Sequence, residues 1–332
     1  MGKINIRIFT FLLLIRFACS IKAQSKLLGA LESPIIFKGD NTTAFRDPAI
    51  LFHENVFYLF FTLVKTEKGL IYSYTAFSTS YDLKNWSPIK IITPRDQSLD
   101  FCSPGNIIRY RNEWILCLQT YPRPNYTSED KPRFGTNDAR VFIMRSKNLI
   151  EWTKPEILKV KGPGIKAADM GRMIDPYLVE DKDVKGKWWC FFKQNGVSMS
   201  YSYNFENWTF VGSVQSGENV CVLVEQGQYT LVHSPANGIA IKRSSDLKNW
   251  VNWGSLITLG QNEWDWAKGR ITAGAVLNLK KDNHFGKYLM FFHGSGPKSE
   301  LEGGFDRNSS IGIAWSNDLL KWEWPGSIKY SH

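Results

Sequence analysis

The sequence predicts an all-β chain folded as a five-bladed propeller, with four antiparallel strands in each blade. Three observations carry that expectation. A polar turn closing on tryptophan is written five times: "TSYDLKNW" ends at Trp86, "RSKNLIEW" at Trp152, "SYNFENW" at Trp208, "SSDLKNW" at Trp250 and "WSNDLLKW" at Trp322. The runs between these phrases are too short, and too rich in Tyr, Phe, Val and Ile, for helices, and turn residues punctuate them. Composition agrees: hydrophobic residues make up 43% and aromatics 14%, with 13 Trp, which excludes disorder and favours strands.

The N-terminus reads as a targeting segment rather than a blade. "MGKINIRIFTFLLLIRFACSIKAQSK" has basic residues Lys3 and Arg7, an apolar stretch, and a small Ala23 before Gln24. This is the pattern of a secretory signal removed after Ala23, leaving residues 24–332 as one propeller domain that is secreted or periplasmic. Arg16 and Phe17 make a poor lipoprotein box, so anchoring at Cys19 ranks below plain export. No later run reaches the roughly 18 apolar residues of a membrane span. The formal charge of +10 falls to +6 once Lys3, Arg7, Arg16 and Lys22 are removed. That excess suits solubility or a mild attraction to an anionic substrate. No basic stripe is interleaved with aromatics, so nucleic acid is not an expected partner. Cys102, Cys117, Cys190 and Cys221 lack CxxC spacing and sit in apolar runs, so buried free thiols are expected and a zinc site is not.

Each repeat has one plan. Two β-runs joined by a short turn are followed by two more strands, the second ending in the Trp phrase. The first copy is "RDPAILFHENVFYLFFTLV" with "YSYTAFSTSYDLKNW", and the last is "GRITAGAVLNLKKDNHFGKYLMFFHG" with "SIGIAWSNDLLKW". The closing Trp residues are 66, 56, 42 and 72 residues apart, the spacing of blades that each bury a face only against a neighbour. The Trp is then expected at the outer end of its blade, packed between neighbours.

In such a ring the first strand of each blade lines the axis. The residues opening these strands are Asp47, Ser103, Asp175, Glu218 and Arg270, three of them carboxylates. An Asp-Pro pair also opens ordinary turns, and Glu218 alone would pass as a solvated acid. Three acids at one place in the repeat point instead to a shared site, because an unpaired inward charge is costly. If the first strand runs away from the acids, the connection from second to third strand lies on their rim. The two longest insertions, 121–140 and 294–310, fall there. The same direction delivers Gln119, Gln194, His233 and His293 to that face.

Glycosidic hydrolysis needs an acid on the leaving oxygen and a carboxylate across the sugar. A third carboxylate raises the acid's pKa and holds it in place. "FRDPAILFHENVFYLFF", "MIDPYLVEDKDVKGKWWCFF" and "GENVCVLVEQGQYTLVHS" resemble the three acidic motifs of the five-bladed propeller glycoside hydrolases, above all family 43, over roughly residues 35–326. The resemblance implies an arabinofuranosidase- or xylosidase-like glycosidase with Asp47 as general base, Asp175 as the tuning and orienting acid, and Glu218 as general acid. The chain departs from family 43 at three places. Asn219-Val220 stands for Gly-Pro, "CSPGNI" stands for a Trp-Ala-Pro-acid phrase, and "KGRITAG" stands for a His-bearing glycine phrase. The last leaves a calcium ion near the axis without support, and no cofactor is required. "FRDP" is also similar to the retaining, fructan-cleaving family 32, and family 117 is similar too, so a divergent branch is expected. Arg46, Ser103, Arg172, Arg270 and His293 are the candidate substrate-binding residues; the three arginines suit substrate hydroxyls or an anionic group, or act as counter-ions to the acids. His233 is a lesser candidate, and Asp169, Glu263 and Asp265 are weaker still. The expected partner is an oligo- or polysaccharide cut at its terminal bond with inversion. The alternatives are retention, as in fructan hydrolases, and a carbohydrate-binding propeller without catalysis.

Overall fold

All five Trp phrases fold as one hydrogen-bonded turn in a computed structural model that describes residues 26–302 and 305–327. The expected export segment, residues 1–23 with Cys19, lies outside the described residues. In the first copy Ser80 Oγ accepts the Leu83 N–H at 2.9 Å, and Asp82 Oδ1 accepts the N–H groups of Lys84 and Asn85 at 3.0 and 2.7 Å. Leu83 adopts φ 65°, and the Trp86 indole N–H donates to its carbonyl at 3.0 Å. Leu149, Phe205, Leu247 and Leu319 repeat the left-handed backbone, and Trp152, Trp208, Trp250 and Trp322 repeat the indole bond. Ser and Asp or Asn are used because their short oxygens replace the backbone partners that a tight turn leaves open.

The turn sits one strand earlier than expected, between the third and fourth strands. Blade one runs Thr43–His53, Val56–Glu67, Leu70–Ser80, and only after Trp86 adds Lys90–Ile91. Blade two is Ile107–Tyr110, Glu113–Gln119, Val141–Ser146 and Glu156–Ile157. Blade three is Ile174–Glu180, Trp188–Lys193, Val197–Ser202 and Thr209–Val214. Blade four is Glu218–Glu225, Gln228–Ser234, Ala240–Ser244 and Val251–Asn252. Blade five is Arg270–Asn278, Tyr288–Ser295 and Ser310–Ser316, and two strands share its outer edge. Trp322–Glu323 pairs there with residues 315–316, and the N-terminal Ile35–Phe37 pairs with residues 311–312, closing the ring. All pairings are antiparallel.

Five apolar clusters fill the five gaps between blades, and each receives the Trp of one phrase: Trp86, Trp152, Trp208, Trp250 and Trp322 in turn. Trp152, for example, meets the ring of Phe60 in the blade before it edge-on at 5.5 Å. The Trp rhythm is therefore structural. The four cysteines are free and buried. No helix among the described residues is long and apolar enough to cross a membrane.

Every first strand carries the same one-residue bulge. Arg46 faces Thr62 while Ala49 faces Phe60, and the same slip recurs at residues 174–177, 218–221 and 272–275. In blade two Cys102 bridges Gln119 while the Gly105 N–H reaches the Cys117 carbonyl. The extra residue turns left-handed, with φ of 47° at Asp47, 42° at Ser103, 52° at Asp175, 52° at Asn219 and 54° at Ala273. Such bulges re-aim side chains and stop pairing near a rim. Because Ala273 shares the conformation without carrying any reactive group, the backbone strain belongs to the fold and not to the chemistry.

Candidate active site

The bulges correct the alignment of the inner residues. Asp47, Ser103 and Asp175 are equivalent to Asn219 and Ala273, whereas Glu218 and Arg270 precede that position in their blades. The true inner position thus holds two carboxylates, with Glu218 contributed from one residue before it. All three acids nonetheless line one cavity of about 420 Å³, together with Arg46, Ser103, Arg172 and Arg270. The walls come from the two long connections foreseen on the rim: Tyr121, Arg123 and Phe134 from one, Phe305 and Asp306 from the other. These loops are locked together over blade one. Arg123 pairs with Asp306 at 2.6 Å and with Asp100 at 3.1 Å, Tyr126 donates to Asp306 at 2.6 Å, and Phe134 meets Phe305 edge-on at 5.7 Å.

A ring of hydrogen bonds fixes the bulged residues. Four of the five inner N–H groups are taken by a side chain on the second strand of the preceding blade, at the position that faces that blade's own pre-bulge residue. Asp47 donates to His293 Nδ1 at 3.1 Å, Ser103 to Thr62 Oγ1 at 2.7 Å, Asp175 to Gln119 Oε1, and Ala273 to Ser234 Oγ at 2.9 Å. The fourth place differs, because Lys193 stands there and an ammonium cannot accept. The Asn219 N–H donates instead to Asp175 Oδ2 at 3.2 Å.

The three acids occupy different surroundings. Asp47 Oδ2 accepts hydroxyl bonds from Thr62 at 2.8 Å and Ser103 at 3.0 Å, which hold it as an acceptor facing the cavity. Ser103 therefore positions Asp47. Glu218 Oε1 takes Arg270 at 2.6 Å, and its side chain is a third exposed. Burial pushes the Asp175 carboxyl up to about 7, with the charges of Glu218 and Asp47 adding to the rise, while the Asn219 N–H and Arg172 pull the other way.

The remaining candidates separate into lining and supporting groups. Arg46 is buried, lies 3.8 Å over the Phe305 ring, donates to the Phe305 carbonyl at 2.8 Å and pairs with Glu300 at 3.4 Å. Arg270 joins Glu218 to Glu300, the second contact at 2.5 Å. Burial opposes the Glu300 charge, but Arg46, His293 and Arg270 outweigh it and hold the carboxyl well below its usual range. His293, expected against substrate, is fully buried behind Asp47 and does not line the cavity. Its Nδ1 accepts from Asp47, so the proton sits on Nε2, 3.2 Å from Glu300. With both ring nitrogens engaged, no imidazole lone pair is left for an axial ion, and the residues do not fit one. Among the described residues no group of three or more His, Cys, Asp or Glu is placed to hold a metal. Gln119 lines the cavity, Gln194 bonds the carbonyls of Met170 and Arg172, and His233 accepts the Gly217 N–H at 3.0 Å. Asp169, Glu263 and Asp265 are exposed and away from the cavity.

Sequence reasoning passed over Lys193, Glu300, Asn219 and the Arg123–Asp306 clamp. Lys193 had a signal: it ends a second strand where the other blades have Thr62, Gln119, Ser234 and His293. Glu300 and Asp306 had none, since a loop carries no period.

No protein-family model matches this sequence, and no curated protein matches it either. Solved structures do. A thermostable family-43 glycoside hydrolase superposes with a TM-score of 0.57 at 14% identity, over 86% of this chain and 94% of that one. A family 117 glycoside hydrolase of the marine bacterium Zobellia galactanivorans gives 0.59 at 14%, over 83% and 85%. The catalytic domain of a family 62 α-L-arabinofuranosidase from Coprinopsis cinerea gives 0.58 at 14%, over 84% and 93%. The fold is that of the five-bladed propeller glycoside hydrolases.

Proposed function

We propose that this chain is an exported glycoside hydrolase that removes a terminal sugar from plant or algal poly- or oligosaccharides, arabinofuranosidase- or xylosidase-like in its chemistry. The observation that carries the reading is the convergence of Asp47, Asp175 and Glu218 on one cavity, each in a different electrostatic setting. Glu218 protonates the glycosidic oxygen as the bond to the anomeric carbon breaks. Asp47, held as an acceptor by Thr62 and Ser103, takes a proton from the water that attacks the opposite face. Asp175, half-protonated near neutral pH, limits the negative charge between them and orients the sugar. The joined rim loops close one side of the cavity, which suits attack at a chain end.

The ion pair of Glu218 with Arg270 favours a second reading, a sugar-binding propeller without turnover, because the acid must leave its guanidinium partner before it can serve. Incubating the protein with aryl-glycosides and plant and algal oligosaccharides, with product anomers followed by NMR, separates the two. Inverted product from the wild type, lost in Glu218→Gln, supports hydrolysis as written. Retained product indicates the fructan-hydrolase-like course. Binding unchanged by Glu218→Gln, with no product from either protein, supports the binder.

A further inference from the structure

Five cations line or border the main cavity, and three of them are answered by acids. Arg46 faces Glu300, Arg123 faces Asp100 and Asp306, and Arg270 faces Glu218 and Glu300. Arg172 and Lys193 are the exceptions: among the described residues neither has an ion-pair partner, and both are only half-exposed cavity residues. They belong to the same corner of blade three. Lys193 pairs with Ile174 across the first two strands, and Arg172 lies two residues before Ile174. Arg172 leans toward the Tyr121 ring at 5.6 Å, so its charge is presented to the cavity and not withdrawn to bulk water.

Two like charges in one corner of a cavity repel, and neither is within salt-bridge distance of an acid among the described residues. Asp175 is only half-charged near neutral pH because burial drives its carboxyl up to about 7. His233 stays neutral, pushed down to about 4 by burial first, with Lys242 and Lys193 adding. Every other blade puts a neutral acceptor where Lys193 stands. The chain keeps a cation at the one place where it breaks the ring.

A second cavity of about 320 Å³ adjoins the first and shares Glu218, Arg270 and Phe134 with it; Asn237, Gly269, Ser299, Glu300 and Leu301 complete its lining. Glu218 therefore stands at the boundary. If it is the acid on the leaving oxygen, the leaving sugar lies in the second cavity, whose one cation among the described residues, Arg270, is already paired. The sugar beside Asp47, Arg172 and Lys193 is then the terminal one. We propose that this terminal sugar carries an anionic group, a uronate carboxylate or a sulfate ester, held by Lys193 and Arg172. The proposal rests on the hydrolase reading for the word "terminal", but not for the anion site itself.

The test has two arms. In the first, glucuronate, galacturonate and galactose 6-sulfate are titrated into the protein beside glucose and galactose. At least one anionic sugar should bind about tenfold or more tighter than its neutral counterpart, the gain of one charge-assisted bond, and salt should weaken it. Lys193→Met and Arg172→Gln should each erase that preference, and Arg172→Lys should keep most of it, with circular dichroism showing that the variants fold. In the second arm, acidic polysaccharides are digested before and after carboxyl reduction and before and after desulfation. Release that falls on carboxyl reduction identifies a uronate; release that falls on desulfation identifies a sulfate ester. Equal binding of neutral and anionic sugars, no binding by any of the five, or a preference untouched by Lys193→Met overturns the proposal. Cleavage that ignores both treatments also overturns it while leaving the hydrolase reading intact. Anion-selective binding without any cleavage sinks the hydrolase reading and leaves the anion site standing.

Discussion

Asp175 accepts the Asn219 backbone N–H at 3.2 Å, a duty that neutral side chains perform at the other four inner turns. One carboxyl thus serves as a link in the scaffold and as the most perturbed acid of the cavity.

The first prediction concerns that carboxyl. Its folded-state value, about 7, lies above the unfolded value of roughly 3.9. The folded state therefore holds the proton more tightly, and this contribution to stability is full below the unfolded value and lost as pH rises through 7. Asp175→Asn, whose amide oxygen still accepts from Asn219, should gain on the wild type between pH 4 and 8, by a few degrees in Tm. Paired melting curves across that range check it; a difference that stays flat or moves the other way refutes it.

Glu300 behaves oppositely. Its folded-state value is depressed, so its contribution is present above the unfolded value of roughly 4.3 and fades as pH falls toward the lower folded one. Glu300→Gln leaves Arg46 and Arg270 short of a counter-charge and should cost about 3–5 kcal/mol at neutral pH. Urea unfolding at pH 7 and pH 4 should show the deficit shrinking at the lower pH.

If Glu218 protonates the leaving oxygen, its loss should depend on how much help that oxygen needs. Glu218→Gln should lower kcat by about 10²–10⁴-fold on sugar leaving groups and far less on aryl-glycosides with acidic phenols. A uniform loss across a leaving-group series would remove it from that role.

Ser234 tests the ring apart from the acids. It caps the Ala273 N–H, where no reactive group sits. Ser234→Ala should leave a buried donor unpaired and cost about 1–3 kcal/mol in a denaturant melt. No measurable loss would mean that water takes the bond.

Much of this was legible in the sequence, for physical reasons. The Trp phrase needs a Ser, an Asp or Asn, and an indole at fixed offsets, so five copies could be counted. Asp47-Pro48 and Asp175-Pro176 stood out because an acid opening an apolar run is unusual. The offset of Glu218 was hidden, because a bulge adds a residue without changing composition. Two-residue strands such as Lys90–Ile91 are too short to alternate, which moved the turn by one strand. His293 looked like a ligand because it borders a rim loop, yet its ring caps the Asp47 N–H and is enclosed against Glu300.

Ile35–Phe37 has a consequence for how the chain is made. Its partners are not synthesised until residues 311–312, and the Gly39 N–H bonds Ser310 Oγ across 271 positions. During translation Phe37 can rest against Phe45, Phe61 and Trp86 of the nascent first blade, but it cannot find its β-partner until nearly the whole polypeptide has left the ribosome. Contacts so distant in sequence slow folding. Clipping even a few residues beyond Phe37, or halting before Ser316, would leave a gapped circle with an unpaired strand edge.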